Sequence, residues 1–175
     1  MAVIKFATDN AVPGHDNYPQ LEPNHLSAPR DGGVYAQLPA KDDIDVLYQG
    51  QMACYDMANG VVDFAGAGPW MLVFNEEKHY DQRKKMHRDF ALKKSESSDN
   101  KIYPRLLRLS VGDVFTTNAF VDGQTIVEKD DLTFDTASKG LWKKGAGTGS
   151  IKAKAAKITT MPDGSPAVKV QIVAA

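Results

Sequence analysis

Residues 151–172 read IKAKAAKITTMPDGSPAVKVQI, and this stretch decides the fold class. Apolar residues alternate with lysine or glutamine on both sides of the turn residues Asp163 and Gly164. Such period-two alternation around an Asp-Gly turn predicts an antiparallel hairpin with one buried face. The alternation slips by one residue at Ala155 and Ala156, which predicts a β-bulge at that point.

Short apolar segments with turn residues about every ten positions continue upstream to residue 41. Asn59-Gly60 and Asp122-Gly123 each predict a further hairpin turn. Residues 70–74, WMLVF, form a continuous apolar run and are typical of a central strand buried on both faces. We therefore predict a mainly β fold, a small barrel or sandwich over residues 41–175, whose most barrel-like part is 102–175.

Residues 1–40 differ from the rest, because they hold five of the nine prolines and show neither helical nor strand periodicity. Proline fixes φ and donates no backbone hydrogen bond, so we predict an extended N-terminal arm. Scattered apolar residues need a surface to cover, either on the chain's own body or on another subunit. The candidate interface residues of the arm are Tyr18, Leu21, Leu26, Val34, Tyr35 and Leu38.

Residues 76–94 contain no glycine or proline and are rich in charged residues. Their apolar positions are sparse, so the segment is either one short charged helix or a long loop. Charge is unevenly distributed along the chain: residues 41–77 hold one basic and seven acidic residues, and residues 136–175 hold seven basic and one acidic. Such blocks can pair within one fold or with a neighbouring copy.

The composition excludes several classes. With 175 residues and 42% hydrophobic residues, the chain corresponds to about one globular domain. No apolar run approaches a membrane span, and the first residues have no secretory h-region, so we expect a soluble protein without membrane contact. A single cysteine, Cys54, excludes an internal disulfide and is typical of a core residue. The four histidines are dispersed, and we predict no metal, no cofactor and no catalytic site.

In the glycine-rich stretch 139–150, KGLWKKGAGTGS, the part 145–150 resembles a phosphate loop at first sight. It lacks the Lys-Ser/Thr end and the following helix that a P-loop requires, and a lysine-alternating strand follows instead. We interpret the stretch as a mobile loop between strands, in which Trp142, Lys143 and Lys144 dock on a partner with the tryptophan as anchor.

The segments 112–118, GDVFTTN, and 162–170, PDGSPAVKV, together with the Lys-Gly loop between them, resemble the barrel of head decoration (cement) proteins of tailed bacteriophages. The resemblance covers about residues 102–175. It implies a non-enzymatic virion protein on the capsid surface, assembled in the host cytoplasm. It also implies binding between major capsid protein subunits, homo-oligomers such as trimers, and stabilisation of the shell.

In this hypothesis residues 1–40 clamp a neighbour and the β body is a rigid platform. Two alternatives stay open. One is a single-stranded nucleic-acid-binding protein of OB type, suggested by basic blocks beside Tyr80 and Trp142 but disfavoured by a pI of about 6.4. The other is a tail-tube or connector subunit, which the sequence does not separate from a decoration protein.

Overall fold

The computed structural model describes residues 3–5, 18–75, 78–79, 88–89 and 91–175. Within them the chain is mainly β, with one four-residue α-helix and one 3₁₀ turn at Lys94–Glu96. The helix is α1 (Ala28–Asp31). The strands are β1 (Val3–Lys5), β2 (Leu21–His25), β3 (Val34–Tyr35), β4 (Val46–Tyr48), β5 (Met52–Asp56), β6 (Val61–Asp63), β7 (Trp70–Val73), β8 (Lys78–His79), β9 (Arg88–Asp89), β10 (Ala91–Lys93), β11 (Leu106–Leu107), β12 (Val114–Thr117), β13 (Thr125–Val127), β14 (Asp131–Asp135), β15 (Leu141–Lys144), β16 (Lys152–Thr160) and β17 (Pro166–Ala174).

Two antiparallel sheets form the body. The five-stranded sheet has the order β3-β11-β7-β5-β6, and the six-stranded sheet has the order β15-β14-β16-β17-β12-β2. The short pairs β1–β13, β4–β10 and β8–β9 complete the pairing within the described residues. The main core lies between the two sheets, because it joins Phe115, Phe134 and Val170 of one sheet to Leu72 and Leu107 of the other. The mainly β prediction is confirmed, and the two packed sheets form a sandwich.

The five-stranded sheet is buried on both faces. On β7 the Leu72 side chain enters the core between the sheets, whereas Met71 and Val73 enter a second core on the other face. Ile44, Leu47 and other apolar residues of 38–64 and 92–102 cover that second core. The prediction that 70–74 holds a central strand buried on both faces is confirmed, since β7 is the middle strand of its sheet.

The β16–β17 hairpin is formed as predicted, including its bulge. Ala155 lies opposite Val170 and Lys157 lies opposite Lys169, so Ala156 is the extra residue. Gly164 occupies the turn with φ +90, a conformation that favours glycine. The hairpin predicted at Asn59-Gly60 also forms, between β5 and β6.

Two sequence-based predictions of local structure are corrected or limited. Asp122 and Gly123 do make a turn, but β12 pairs with β17 and β2 while β13 pairs with β1, so no hairpin closes there. The described parts of 76–94 lie in β8, β9, β10 and the start of the 3₁₀ turn rather than in one helix. A charged segment without an apolar stripe gives a helix no face to bury. Residues 76–77, 80–87 and 90 of that segment, with Tyr80 and His87, lie outside the described residues, as does His15.

Candidate interaction surface

Trp142 is fully buried and does not form a docking anchor. Its indole Nε1 donates a hydrogen bond to the Gly50 carbonyl oxygen at 2.9 Å. Its ring contacts Phe115 and Phe134, with centroid separations of 5.7 and 6.3 Å. The prediction of an exposed anchor is wrong, because residues 141–144 form strand β15 and its alternation directs Trp142 into the core.

Lys143 and Lys144 extend from the same strand and pair within the chain. The Lys144 ammonium lies 2.8 Å from the Asp130 carboxylate, and the Lys143 ammonium lies 3.6 Å from that of Asp135. Burial acts to raise the pKa of Asp130, but hydrogen bonds from Lys144 and the Val127 amide outweigh burial and lower it. Both lysines therefore already have an anionic partner.

The remainder of the glycine-rich stretch lies against β14. A Cβ atom on Gly149 would stand 2.5 Å from the ring of Phe134, and one on Gly147 would stand 2.4 Å from the Thr133 methyl. The Gly149 amide donates to the Phe134 carbonyl oxygen at 3.1 Å. The predicted loop therefore does lie between two strands, over residues 145–151, and its glycines serve close packing against β14.

The described part of the N-terminal arm, from residue 18 onward, lies on the chain's own body. β2 pairs with β12 at the edge of the six-stranded sheet, and β3 pairs with β11 at the edge of the five-stranded sheet. We call residues 21–35 the strap, because they place one strand on each sheet. The sequence left two surfaces open for the arm, the chain's own body and another subunit. This part of the arm lies on the chain's own body.

All six candidate residues of the arm contact that body. Leu21 is buried in the core between the sheets, and Leu26 and Val34 pack against it. Tyr35 and Leu38 pack against the second core. The Tyr18 ring stacks on Tyr48 at 5.6 Å. The predicted interface function of these side chains is therefore not visible in the isolated chain.

A buried carboxylate fixes the strap to the six-stranded sheet. Asp113 is 2% exposed and accepts hydrogen bonds from the Ser27 amide and the Ser110 amide, both at 2.8 Å. The Ser27 hydroxyl donates to the Asp113 carboxylate at 3.2 Å. Charge-assisted hydrogen bonds of this kind are stronger than neutral ones. Asp113 therefore fixes the position of Ser27, the residue that precedes α1.

An exposed apolar patch lies where the ladder between β12 and β17 ends. Val111 is 68% exposed and Val173 is 42% exposed. Hydrogen bonds between Gly112, Asp113 and Ile172 bring these two valines to the same end of the sheet. Val111 also lines an open groove of about 430 Å³, together with α1 residues, Arg108 and Ala175. Exposed apolar side chains near a groove make this end of the sheet a candidate protein-binding surface.

The outer face of the six-stranded sheet carries a second surface, which combines residues from separate stretches of the sequence. The register places Lys154 beside Asp131 and Gln171, and Lys157 beside Lys169. Period-two alternation keeps these residues on the face opposite the core. We call this surface the lysine face, and its lysines are Lys143, Lys152, Lys154, Lys157 and Lys169.

Other chemistry is sparse in the part of the chain that the structure describes. There, no three His, Cys, Asp or Glu side chains are grouped so that they could hold a metal ion. Cys54 is fully buried, and burial raises the pKa of its thiol, against a smaller opposing effect of a backbone hydrogen bond from Gly68. No helix among the described residues is long and apolar enough to cross a membrane.

Comparisons with protein-family models, with curated proteins and with solved structures find no match to this chain. The candidate surfaces therefore rest on the geometry of this chain alone. They are the apolar patch beside the groove and the lysine face.

Proposed function

We propose that the protein is a non-enzymatic structural subunit of a tailed-phage virion that binds the outside of the assembled capsid and stabilises the shell. The partner in this proposal is the major capsid protein, and the contact is the apolar patch of Val111 and Val173 beside the groove. The sequence resemblance over residues 102–175 suggests this role, and the exposed patch is the observation that supports it.

The body suits such a role. A subunit that stabilises a shell transmits force through contacts, so it benefits from a rigid platform more than from moving parts. Here the strap closes the sandwich by pairing with both sheets, and two packed cores lie on the two faces of the five-stranded sheet. Many copies on a symmetric shell make a modest contact cumulative.

The apolar patch is suited to a protein partner. Val111 and Val173 have aliphatic side chains with no polar group, so their burial against a partner gains hydrophobic free energy without a hydrogen-bond requirement. Arg108 lines the same groove and adds a guanidinium group that can bind a carboxylate or a carbonyl oxygen. A segment of the capsid protein that combines an apolar residue with an acidic one fits this groove.

Co-sedimentation with empty shells of the protein's source tests the proposal. We expect the wild-type protein to sediment with the shells and to raise the temperature at which they dissociate. The variant Val111→Asp/Val173→Asp should lose most of this binding, since an aspartate must be desolvated at the contact. The matched control is Met57→Asp, because Met57 is 70% exposed but lies in the β5–β6 turn.

Three outcomes contradict the proposal. Wild-type protein that stays in the supernatant excludes shell binding. Rings or tubes that form without shells, from a protein that does not sediment with shells, indicate a tail-tube or connector subunit. A salt-sensitive mobility shift of a single-stranded oligonucleotide, without shell binding, indicates a nucleic-acid-binding protein.

A further inference from the structure

Two lysines of the lysine face lie directly opposite each other on neighbouring strands. Lys157 of β16 and Lys169 of β17 are register partners, and within the described residues neither has an ion-pair partner. Like charges at directly opposed positions destabilise a sheet. The folded chain therefore carries a local repulsion on the outer face of its longest hairpin, and an anionic partner would relieve it.

The bulge at Ala156 creates this arrangement. Lys154 and Lys157 are three positions apart, so in a regular strand they would face opposite sides of the sheet. The extra residue restores Lys157 to the outer face, where it joins Lys154 and Lys169. Without the bulge the Lys157 ammonium would point toward the core, so the bulge and the charged pair belong to one feature.

The row of residues that continues beyond this pair contains one threonine and one glutamate. The next residue in the row is Thr116 of β12, which is buried at 3% exposure, followed by Glu22 of β2. The Lys154 ammonium forms an ion pair with the Asp131 carboxylate at 2.7 Å. Beyond Lys169 the row is therefore covered at Thr116, and the exposed lysines of the lysine face include Lys154 and Lys157.

The opposite side of the molecule carries the complementary charge. Residues 41–63 hold five aspartates and one lysine, and the aspartates Asp42, Asp43 and Asp45 are exposed around the buried Ile44. We call these three the aspartate layer. Ile44 covers the second core, on the far side of the five-stranded sheet from the lysine face. Lys41 pairs with Asp43 at 3.3 Å, which leaves Asp42 and Asp45 without an ion pair in the described part of the chain.

We propose that the lysine face binds the aspartate layer of a second copy of this chain. Charge complementarity selects this partner, because one molecule presents both surfaces on opposite sides. A nucleic acid fits less well, since Trp142 is buried and the lysine face is built without an aromatic ring on which a base could stack, as far as the described residues extend.

The contact joins different surfaces of the two copies, so it is heterologous. Contacts of this kind close into rings or extend into open chains, depending on the rotation between copies. The association does not require a shell, and it can fail while the proposed binding to a shell holds. The groove patch and the lysine face are therefore tested separately.

Sedimentation velocity of the purified chain, without shells, is the first test. At about 20 mM salt we expect the weight-average sedimentation coefficient to rise with protein concentration. At about 500 mM salt the rise should disappear, because the Debye length shortens to a few ångströms. A coefficient that is independent of concentration at low salt overturns the proposal.

The variant Lys157→Glu separates association from folding. It replaces the repulsion between two ammonium groups by an attraction between a carboxylate and the Lys169 ammonium, so we expect the Tm to rise by about 1–3 °C. The same variant should weaken self-association by about tenfold or more, because it inverts one charge at the contact. The control Lys139→Glu changes an exposed lysine in the connection between β14 and β15, outside both the lysine face and the aspartate layer, and should leave association intact.

Charge exchange identifies the partner surface. We expect Lys157→Glu/Lys169→Glu and Asp42→Lys/Asp45→Lys each to be monomeric alone and to associate when mixed, because each then supplies the surface that the other lacks. If the mixture stays monomeric, the pairing of these two surfaces is wrong. If the wild type binds a single-stranded oligonucleotide and does not self-associate, the lysine face is a nucleic-acid surface and the proposal falls.

Discussion

The two sheets of the body differ in how their strands are buried, and the difference bears on where the candidate surfaces lie. Strands of the five-stranded sheet place side chains in a core on each face, as Met71 and Leu72 do. Strands of the six-stranded sheet place one set in the core and the other in solvent, as Val170 and Gln171 do. Within the described residues the first sheet is therefore covered on both faces, whereas the second leaves side chains of one face in solvent.

The sequences of the two sheets show the same difference. Residues 70–74 are a continuous apolar run, whereas residues 168–172 alternate between apolar and polar. Of the central strands of the five-stranded sheet, β7 and β11 carry no charged residue and β5 carries one, Asp56 at its end. The predictions below test the contrast, in order of expected effect.

The largest effect is expected from truncation on the two faces of β7. Both Met71→Ala and Leu72→Ala should lower the free energy of unfolding by about 2–5 kcal/mol, because each side chain is fully buried in a different core. In β17, Val170→Ala should be costly while Gln171→Ala stays within about 0.5 kcal/mol. Urea unfolding followed by circular dichroism measures all four. A tolerated substitution at either β7 position would show that this sheet is open on that face.

A smaller but still substantial effect is expected where the connection after β14 meets the five-stranded sheet. Gly140 has φ +73, and a Cβ there would stand 1.8 Å from the Met52 carbonyl oxygen, while the Gly140 carbonyl accepts the Met52 amide. Gly140→Ala should therefore cost about 3 kcal/mol, from overpacking and from the left-handed backbone. Gly145→Ala, also at positive φ but with nothing within 4 Å, should cost only about 1 kcal/mol. Equal costs for the two variants would contradict this close approach of the sheets.

The smallest effect concerns pH and the turn between β5 and β6. The Asp56 carboxylate accepts hydrogen bonds from the Asn59 side chain and from the Asn59 and Ala58 amides, and these lower its pKa below the usual value. The stability this contributes is present above the unfolded-state pKa of about 3.9 and is lost as pH falls through the lower folded-state pKa.

Urea midpoints between about pH 6 and about pH 2.5 measure that contribution across the unfolded-state pKa. Asp56→Asn should flatten the loss of stability on acidification relative to wild type, because residue 56 no longer titrates. The control Asp42→Asn changes an exposed aspartate whose carboxylate makes no hydrogen bond among the described residues, and its profile should follow the wild type more closely. An unchanged slope in Asp56→Asn would mean that the turn carboxylate does not couple to folding.

Local patterns predicted the parts of the fold that neighbouring residues determine. The β16–β17 hairpin, its bulge at Ala156 and the central position of β7 all follow from alternation, slippage or an unbroken apolar run. The pairing of β3 with β11 joins residues about seventy positions apart through two-residue strands, so no local pattern indicates it. The lysines and glycines around Trp142 favoured a loop with an exposed tryptophan. These residues instead form strand β15, and its alternation buries Trp142.

The candidate surfaces were harder to predict, because they combine distant segments. The lysine face needs the register of β14, β15, β16 and β17, and Val111 meets Val173 only through the end of the β12–β17 ladder. The sequence did contain one usable signal for the first surface. The bulge predicted at Ala155 and Ala156 already implied that Lys157 shares a face with Lys154, which places these two lysines of β16 on one surface.

The strap also imposes an order on folding during synthesis. Leu21–His25 leaves the ribosome early but pairs with Val114–Thr117, and Val34–Tyr35 pairs with Leu106–Leu107. At typical translation rates, both early strands wait on the order of ten seconds for their partners. Leu21 stays exposed during that time, and the high sequence separation of these contacts predicts slow final closure. Nascent chains of this protein are thus expected to need a chaperone most before residue 117 has emerged.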